Sequence, residues 1–310
     1  MAIVNGTAAS ETLAGTPQGD SIFGRGGDDS VFGNGGNDFV LTQSGNDRIV
    51  TALGNDVIMA GNGDNQINAD NTNPKDPFAG DDSLGGNDWV NTGSGADLIG
   101  TWGGRDYIIS SDGNDNIEAG DGGDFIDAGL GNDEVGGGRG ADTVLGRDGD
   151  DDLEAGEGND YMDGGAGADR LRGGSDNDII RDGSGGDRIE GRAGSDKIFL
   201  SSDSITDDIR FRLDDSGAPE SGVDTILRFD TSSPGADRGQ PGGDRLDLAE
   251  YGFQERGQIL LESTKLGTEL SVDPTGEDPD DAVELAVLVG ISPDDLTAED
   301  GLINTDIILL

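Results

Sequence analysis

Between residues 11 and 199 the apolar positions of the chain keep one register. A single aliphatic residue or Met returns every nine residues, from Leu13, Ile22 and Val31 through to Ile180, Ile189 and Ile198, with one break between Ile67 and Val90. Two positions before each stands an anchor that is acidic in all cases but one. The anchors are Glu11, Asp20, Asp29, Asp38, Asp47, Asp56 and Asn65, then Asp88, Asp97, Asp106, Asp115, Asp124, Asp133, Asp142, Asp151, Asp160, Asp169, Asp178, Asp187 and Asp196. Two positions before the anchor stands Gly, with exceptions only at Ala9, Gln18 and Asp176. The pattern predicts a repeat architecture of twenty units, each burying its one apolar residue by stacking on its neighbours.

The step from Asn65 to Asp88 is 23 residues, one unit plus fourteen. Segment 69–82, "ADNTNPKDPFAGDD", is therefore expected to be a loop insertion, in keeping with its two prolines and its polarity. Residues 1–10 form a lead-in. After Phe199 the period ends, and apolar runs such as "DIRFRL", "DTILRFD", "DRLDLAEYGF", "QILLES" and "AVELAVLVGI" alternate with Pro/Gly segments. They predict a small β-rich domain with one short helix over 200–310. Such a domain would cap the solenoid, whose end otherwise exposes unpaired backbone groups.

Units such as "GNGGNDFVL" and "GGAGADRLR" resemble the GGxGxDxUx nonapeptide of the RTX (repeats-in-toxin) calcium-binding proteins. The resemblance covers 11–199 and implies an all-β fold, a parallel β-roll or β-helix solenoid. Two nonapeptides would make one turn, with GGxGxD as a loop and xUx as a short strand. The resemblance also implies calcium as the cofactor and the aspartate anchors, Asp20 to Asp196, as its ligands.

The chemistry of the residues agrees. A hard divalent cation takes six to eight oxygens from carboxylates and carbonyls at about 2.3–2.6 Å. Glycine lets a tight loop adopt positive φ and turn its carbonyls toward an ion. Anchors eighteen apart would stack at strand spacing, about 4.8 Å, with an ion between each pair. Roughly 12–18 ions are expected in all.

Charge makes this cation requirement sharper. The 310 residues include 65 acidic and 19 basic side chains, a net charge of −46, with 32% apolar content. That combination alone predicts disorder, because too little apolar surface can be buried to offset the entropy of ordering. A bound ion of charge +2 inverts the sign of the local interaction, and about sixteen ions would bring the net charge to about −14. Folding is therefore expected to depend on calcium.

Composition also excludes several classes. Without Cys or His there are no disulfides, no Ser-His-Asp triads and no thiolate or imidazole zinc sites. Nucleic acid and anionic membranes are poor partners for so acidic a chain. No apolar run reaches transmembrane length and the N-terminus lacks a Sec signal, so membrane insertion is not expected.

The residues flanking each inward aliphatic point outward. In alternate units one of them is large and apolar: Phe23, Phe39, Val57, Trp89, Tyr107, Phe125, Leu145, Tyr161, Ile179 and Phe199. The intervening units carry Asn116 with Glu118, Glu134, Asp152 with Glu154, Arg170 with Arg172, and Arg188 with Glu190, with Phe32, Val50 and Leu98 as exceptions. One face is expected to be apolar and the other wet. Self-association or a partner, cover by the C-terminal region, and stacking within the sheet would each account for it.

"DTILRFD" followed by "GDRLDL", and the ending "TDIILL", resemble the C-terminal region of proteins exported by type I secretion. This implies an extracellular protein and the type I machinery as a partner, the chain folding where calcium is millimolar. The repeats begin within about ten residues of Met1, which leaves no room for a protease, lipase or pore-forming domain. A lyase would need a base in a cleft, whereas Arg170 and Arg188 fall on a flat face. The chain is therefore expected not to be an enzyme. The expectation is a secreted calcium-binding structural protein assembling into an extracellular layer, filament or matrix; the alternative is a carbohydrate-binding accessory of a polysaccharide-modifying system.

Overall fold

A computed structural model describes residues 1–69, 85–201, 203, 205–211 and 224–227, together with the backbone of strands at 245–247, 259–263, 267–272, 283–289 and 308–309. Of the expected insertion 69–82 only Ala69 is among them. The expected short helix lies outside the described residues, and "TDIILL" is described only at Ile308–Leu309. Among the described residues every regular element is a β-strand, and no helix is long and apolar enough to cross a membrane.

The local rule is simple. A β-branched or other aliphatic residue sits at the centre of a strand, as in Ser21–Phe23 and Ser30–Phe32, and both its neighbours are only partly covered. A glycine-containing loop then turns the chain toward the next strand. Each strand pairs in parallel with the one eighteen residues on. Ile22 faces Val40 and then Ile58 in one sheet, while Val31 faces Ile49 and then Ile67 in the other. Alternate nonapeptides thus stack in separate sheets. All twenty repeat aliphatics are buried, Leu13 being the most open at 7%.

Across the fourteen-residue insertion the aliphatic positions keep this register, with one shift between Met59 and Gly61. Val57 pairs with Trp89 and Ile58 with Val90 across it, and Ile67 pairs with Ile99 in the opposite sheet.

One loop position takes left-handed backbone in most units, in residues other than glycine as well as in glycine. Arg25, Asn34, Gln43, Ala52, Trp102, Ser111, Arg147 and Arg192 all stand four residues before an anchor, at φ of +62 to +86. A side chain there costs roughly 1–2 kcal/mol, so tight turn closure overrides residue preference. The glycine two before the anchor is held by packing as well. At Gly140, with φ of +134, a Cβ would overlap the carbonyl oxygen of Gly122.

The chain divides into two compact units, Met1–Tyr161 and Met162–Leu310. In the second unit the parallel ladders run past the last nonapeptide: Ile189 pairs with Ile209, and Ile198 with Ile226, both new partners being buried. Val283–Val289 continues one sheet in parallel, followed by antiparallel partners Gly267–Val272 and Ile259–Ser263. Among the described residues of this region the regular elements are β-strands, and its beginning is an extension of the roll.

Candidate metal centre

Every anchor closes a loop and opens a strand, and its backbone belongs to the ladder. The amide of Phe39 donates to the Asp20 carbonyl at 2.8 Å, and that of Thr143 to the Asp124 carbonyl at 2.8 Å. The anchor's own amide donates to Oδ1 of the anchor one turn on. Asp20 to Asp38, Asp29 to Asp47 and Asp115 to Asp133 all measure 2.8 Å. Asp56 to Asp88 and Asn65 to Asp97 make the same bond across the insertion, at 2.6 and 2.7 Å. One oxygen of each stacked carboxylate is therefore structural.

The other oxygen is not used in this way. In Asp29, Asp38, Asp106, Asp124, Asp133 and Asp142, Oδ2 is buried without a hydrogen-bond partner. An orphaned buried carboxylate oxygen is costly. Burial, the largest cause, pushes the carboxyls of Asp38, Asp124, Asp133 and Asp142 up to about 7, and that of Asp106 to about 6. Charges on neighbouring anchors raise Asp133 and Asp142 further, while the amide bonds to Oδ1 oppose the rise. A Cβ built on Gly24 or Gly33 would overlap Oδ2 of Asp29 or Asp38, so glycine at that place keeps the seat open.

Asn65 reveals what faces that second oxygen. Its Nδ2 donates to the carbonyls of Gly61 and Gly63, at 3.1 and 2.9 Å. In this one loop an amide nitrogen fills the space between oxygens, where an Asp would put oxygen against oxygen. A hard cation is the natural filling for an all-oxygen seat of this kind, and the donor set, free of nitrogen and sulfur, fits calcium. When bound, the ion supplies the positive charge that lets the carboxylates ionise while buried. Asn65→Asp is accordingly expected to add one bound ion to the wild-type total, counted by atomic absorption after dialysis in millimolar calcium; an unchanged total would remove the loop carbonyls from the seat. Glu11 is turned away from the role, its carboxylate accepting from the amide and hydroxyl of Thr7 at 2.5 and 3.1 Å.

The structure buries all eighteen aspartate anchors, at 3% exposure or less, although Oδ2 of Asp20 accepts from the amide and hydroxyl of Thr16 at 2.5 and 2.7 Å, as Glu11 does from Thr7. It adds two that the nine-residue period does not contain. Asp207 and Asp224 accept from the amides of Asp187 and Asp196, each at 3.0 Å. Both precede a buried isoleucine by two residues, Ile209 and Ile226, so the local signal is present. Spacings of 20 and 28 residues hide it.

The outward apolar residues form two columns, not one stripe. Phe39, Val57, Trp89, Tyr107 and Phe125 pair in succession, bounded by Ser21 and Thr143. Phe23 and Leu145 follow their aliphatic instead of preceding it, which puts them in the neighbouring column with Leu41, Met59 and Ile109, interrupted by Asn91 and Asp127. Tyr161 is half-buried on the same pattern. In the second unit Ile179 faces Lys197, and Phe199 faces Arg181, whose guanidinium lies 5.4 Å from the ring centroid, so the apolar column does not continue there. The other sheet presents Thr12, Ser30, Arg48 and Gln66 in succession, and Asn116 donates to Glu134 at 3.0 Å.

Parallel ladders with eighteen-residue stacking, one buried aliphatic per unit and seats made of oxygen alone define a cation-binding β-roll. The profile of the RTX calcium-binding nonapeptide repeat, four copies long, matches residues 5–40, 42–73, 79–108, 109–144, 136–171, 145–180 and 172–204. The chain belongs to this family and binds several calcium ions. Two solved structures are similar, both from the mannuronan C5-epimerase of Azotobacter vinelandii. The AlgE6R2 subunit is 23% identical, with 57% of this chain and 91% of that one covered and a TM-score of 0.23. The AlgE6R3 subunit is 23% identical, with 55% and 80% covered and a TM-score of 0.18. No curated protein matches the chain.

Proposed function

We propose that the chain is a secreted, calcium-folded structural protein whose apolar sheet face meets a second copy of itself, with the anchor aspartates Asp20 to Asp196 as its calcium ligands. The observation that carries this reading is the column Phe39, Val57, Trp89, Tyr107 and Phe125, in unbroken register with Phe23, Leu41 and Met59 beside it. A contiguous apolar patch of this kind is seldom left bare on a soluble protein. Tyr107 and Phe125 stack at 4.7 Å with planes 8° apart, so each covers a face of the other. At this pair the ring edges are what remains outward, a surface better suited to a protein than to a sugar ring.

Two chains of net charge −46 repel one another until cations neutralise them, so assembly is expected only in calcium. Extracellular calcium is abundant enough to fill such sites. Export by a type I machine belongs to the same proposal, since a chain that folds only in calcium can pass a narrow channel unfolded. The reading assigns the chain no reaction.

Light scattering in millimolar calcium tests it. The wild type is expected to form particles of more than one chain, and the variant Trp89→Ser/Tyr107→Ser/Phe125→Ser to remain single with undiminished calcium uptake. Equal particle size in the two would overturn the interface. A carbohydrate-binding accessory is the second reading, favoured by Tyr107, whose side chain belongs to a residue 40% exposed. Retention of a single-chain protein on polysaccharide, lost in the same variant, would establish that reading instead.

A further inference from the structure

We propose that Asp182, Asp187 and Asp207 form a three-carboxylate seat for one divalent cation, built on an anchor of the nonapeptide array and held more tightly than the other ions of that array. Asp182 stands at the first position of its loop, where Gly164, Gly173 and Gly191 stand in nearby units. A side chain at that position reaches the anchor's second oxygen, as a Cβ on Gly173 would reach Oδ2 of Asp178. Asp182 thus brings a carboxylate to where the Asp187 anchor keeps its own. Asp207 arrives from outside the nonapeptide period, ahead of the strand Asp208–Arg210. One carboxylate oxygen from each of the three lies within 4.8 Å of the others, and all three residues are exposed by 2% or less.

Backbone amides hold the three groups in place. Gly183 and Ser201 donate to Oδ1 and Oδ2 of Asp182 at 2.6 and 2.8 Å, and Asp169 donates to Oδ1 of Asp187 at 2.8 Å. The amide of Asp187 donates in turn to Oδ1 of Asp207 at 3.0 Å. Asp187 Oδ2 remains, buried and without a hydrogen-bond partner. It is the independent mark of a missing ligand.

A proton shared between Asp182 and Asp207 would be the plainer account of the cluster. It leaves Asp187 Oδ2 unsatisfied. Three carboxylates at this range ionise together only around a cation. Two further carboxylates join the anchor's own here, and affinity for calcium rises with the charge of the ligand set.

Dialysis of the full-length chain against falling free calcium, with bound ions counted by atomic absorption, tests the assignment. The wild type is expected to keep one ion at a calcium level that empties the rest of the array. Asp182→Asn and Asp182→Gly should release it at about tenfold or more higher free calcium, with an unchanged β-sheet circular dichroism signal in millimolar calcium. Asp124→Asn, an array variant, should still keep it. Retention of that ion by the Asp182 variants, or no such ion in the wild type, would overturn the site. Should Asp182→Asn not fold, Asp182→Gly decides, because glycine is the residue of the neighbouring loops. Failure of calcium binding as a whole would show separately, as an absence of bound ions at saturation.

Discussion

Removing calcium is expected to unfold this chain: in excess chelator its β-sheet circular dichroism should fall to that of a coil and its hydrodynamic radius grow, and millimolar calcium should restore both. The expectation follows from how little else can hold the roll together. Each nonapeptide buries one large aliphatic side chain at its centre, and in Asp124 and Asp133 the second oxygen of the stacked carboxylate faces neither water nor a donor. At free calcium ten times the dissociation constant each site adds about 1.4 kcal/mol, so roughly sixteen sites add on the order of 20 kcal/mol. Ordinary domains are stable by only about 5–15 kcal/mol. Loss of the ions therefore removes more than a whole domain's margin. A full sheet signal in chelator would show instead that backbone pairing and the aliphatic file suffice, and the seats would lose their structural role.

Much of this was legible in the sequence, for a physical reason. A parallel roll repeats its geometry every turn, so one aliphatic such as Ile117 and one anchor such as Asp115 must recur at fixed spacing. What the spacing does not carry is the division of labour within a carboxylate. That anchors stack is implied by the period; that Oδ1 of Asp133 is held by the amide of Asp115 while Oδ2 faces the seat depends on backbone direction. Left-handed backbone at Arg25 or Gln43 is equally silent, since turn closure imposes it against residue preference. The outward residues misled for a related reason. Phe23 and Phe39 both point outward, but one follows its aliphatic and the other precedes it, so they fall in different columns and meet diagonally, with ring centroids 5.9 Å apart. Asp207 and Asp224 escaped because longer loops stretch the period while the stack itself continues.

The metal-free chain is expected to regain sheet structure as pH falls, the opposite of the usual acid response of a carboxylate-rich protein. Folding without metal raises the carboxyls of Asp38, Asp124, Asp133 and Asp142 to about 7 and of Asp56, Asp97 and Asp106 to about 6, from 3.8. A group whose pKa is higher folded than unfolded binds its proton more tightly in the fold. Its contribution is fully present below the unfolded value and disappears as pH rises through the folded one. The window is therefore about pH 4 to 7, with sheet signal growing as a calcium-free solution is taken from pH 8 toward 4. Falling net charge acts in the same direction, and Asp124→Asn separates the two, since an amide cannot contribute a titration at any pH. With calcium present, protons and ions compete for the same oxygens. The calcium concentration that half-fills the folded chain should rise as pH drops from 8 to 6, while the concentration needed for half-folding should not rise. A metal-free chain equally unfolded at pH 8 and pH 5, checked by light scattering for aggregation near its isoelectric point of about 4.1, would mean that the second oxygens stay hydrated and do not govern folding.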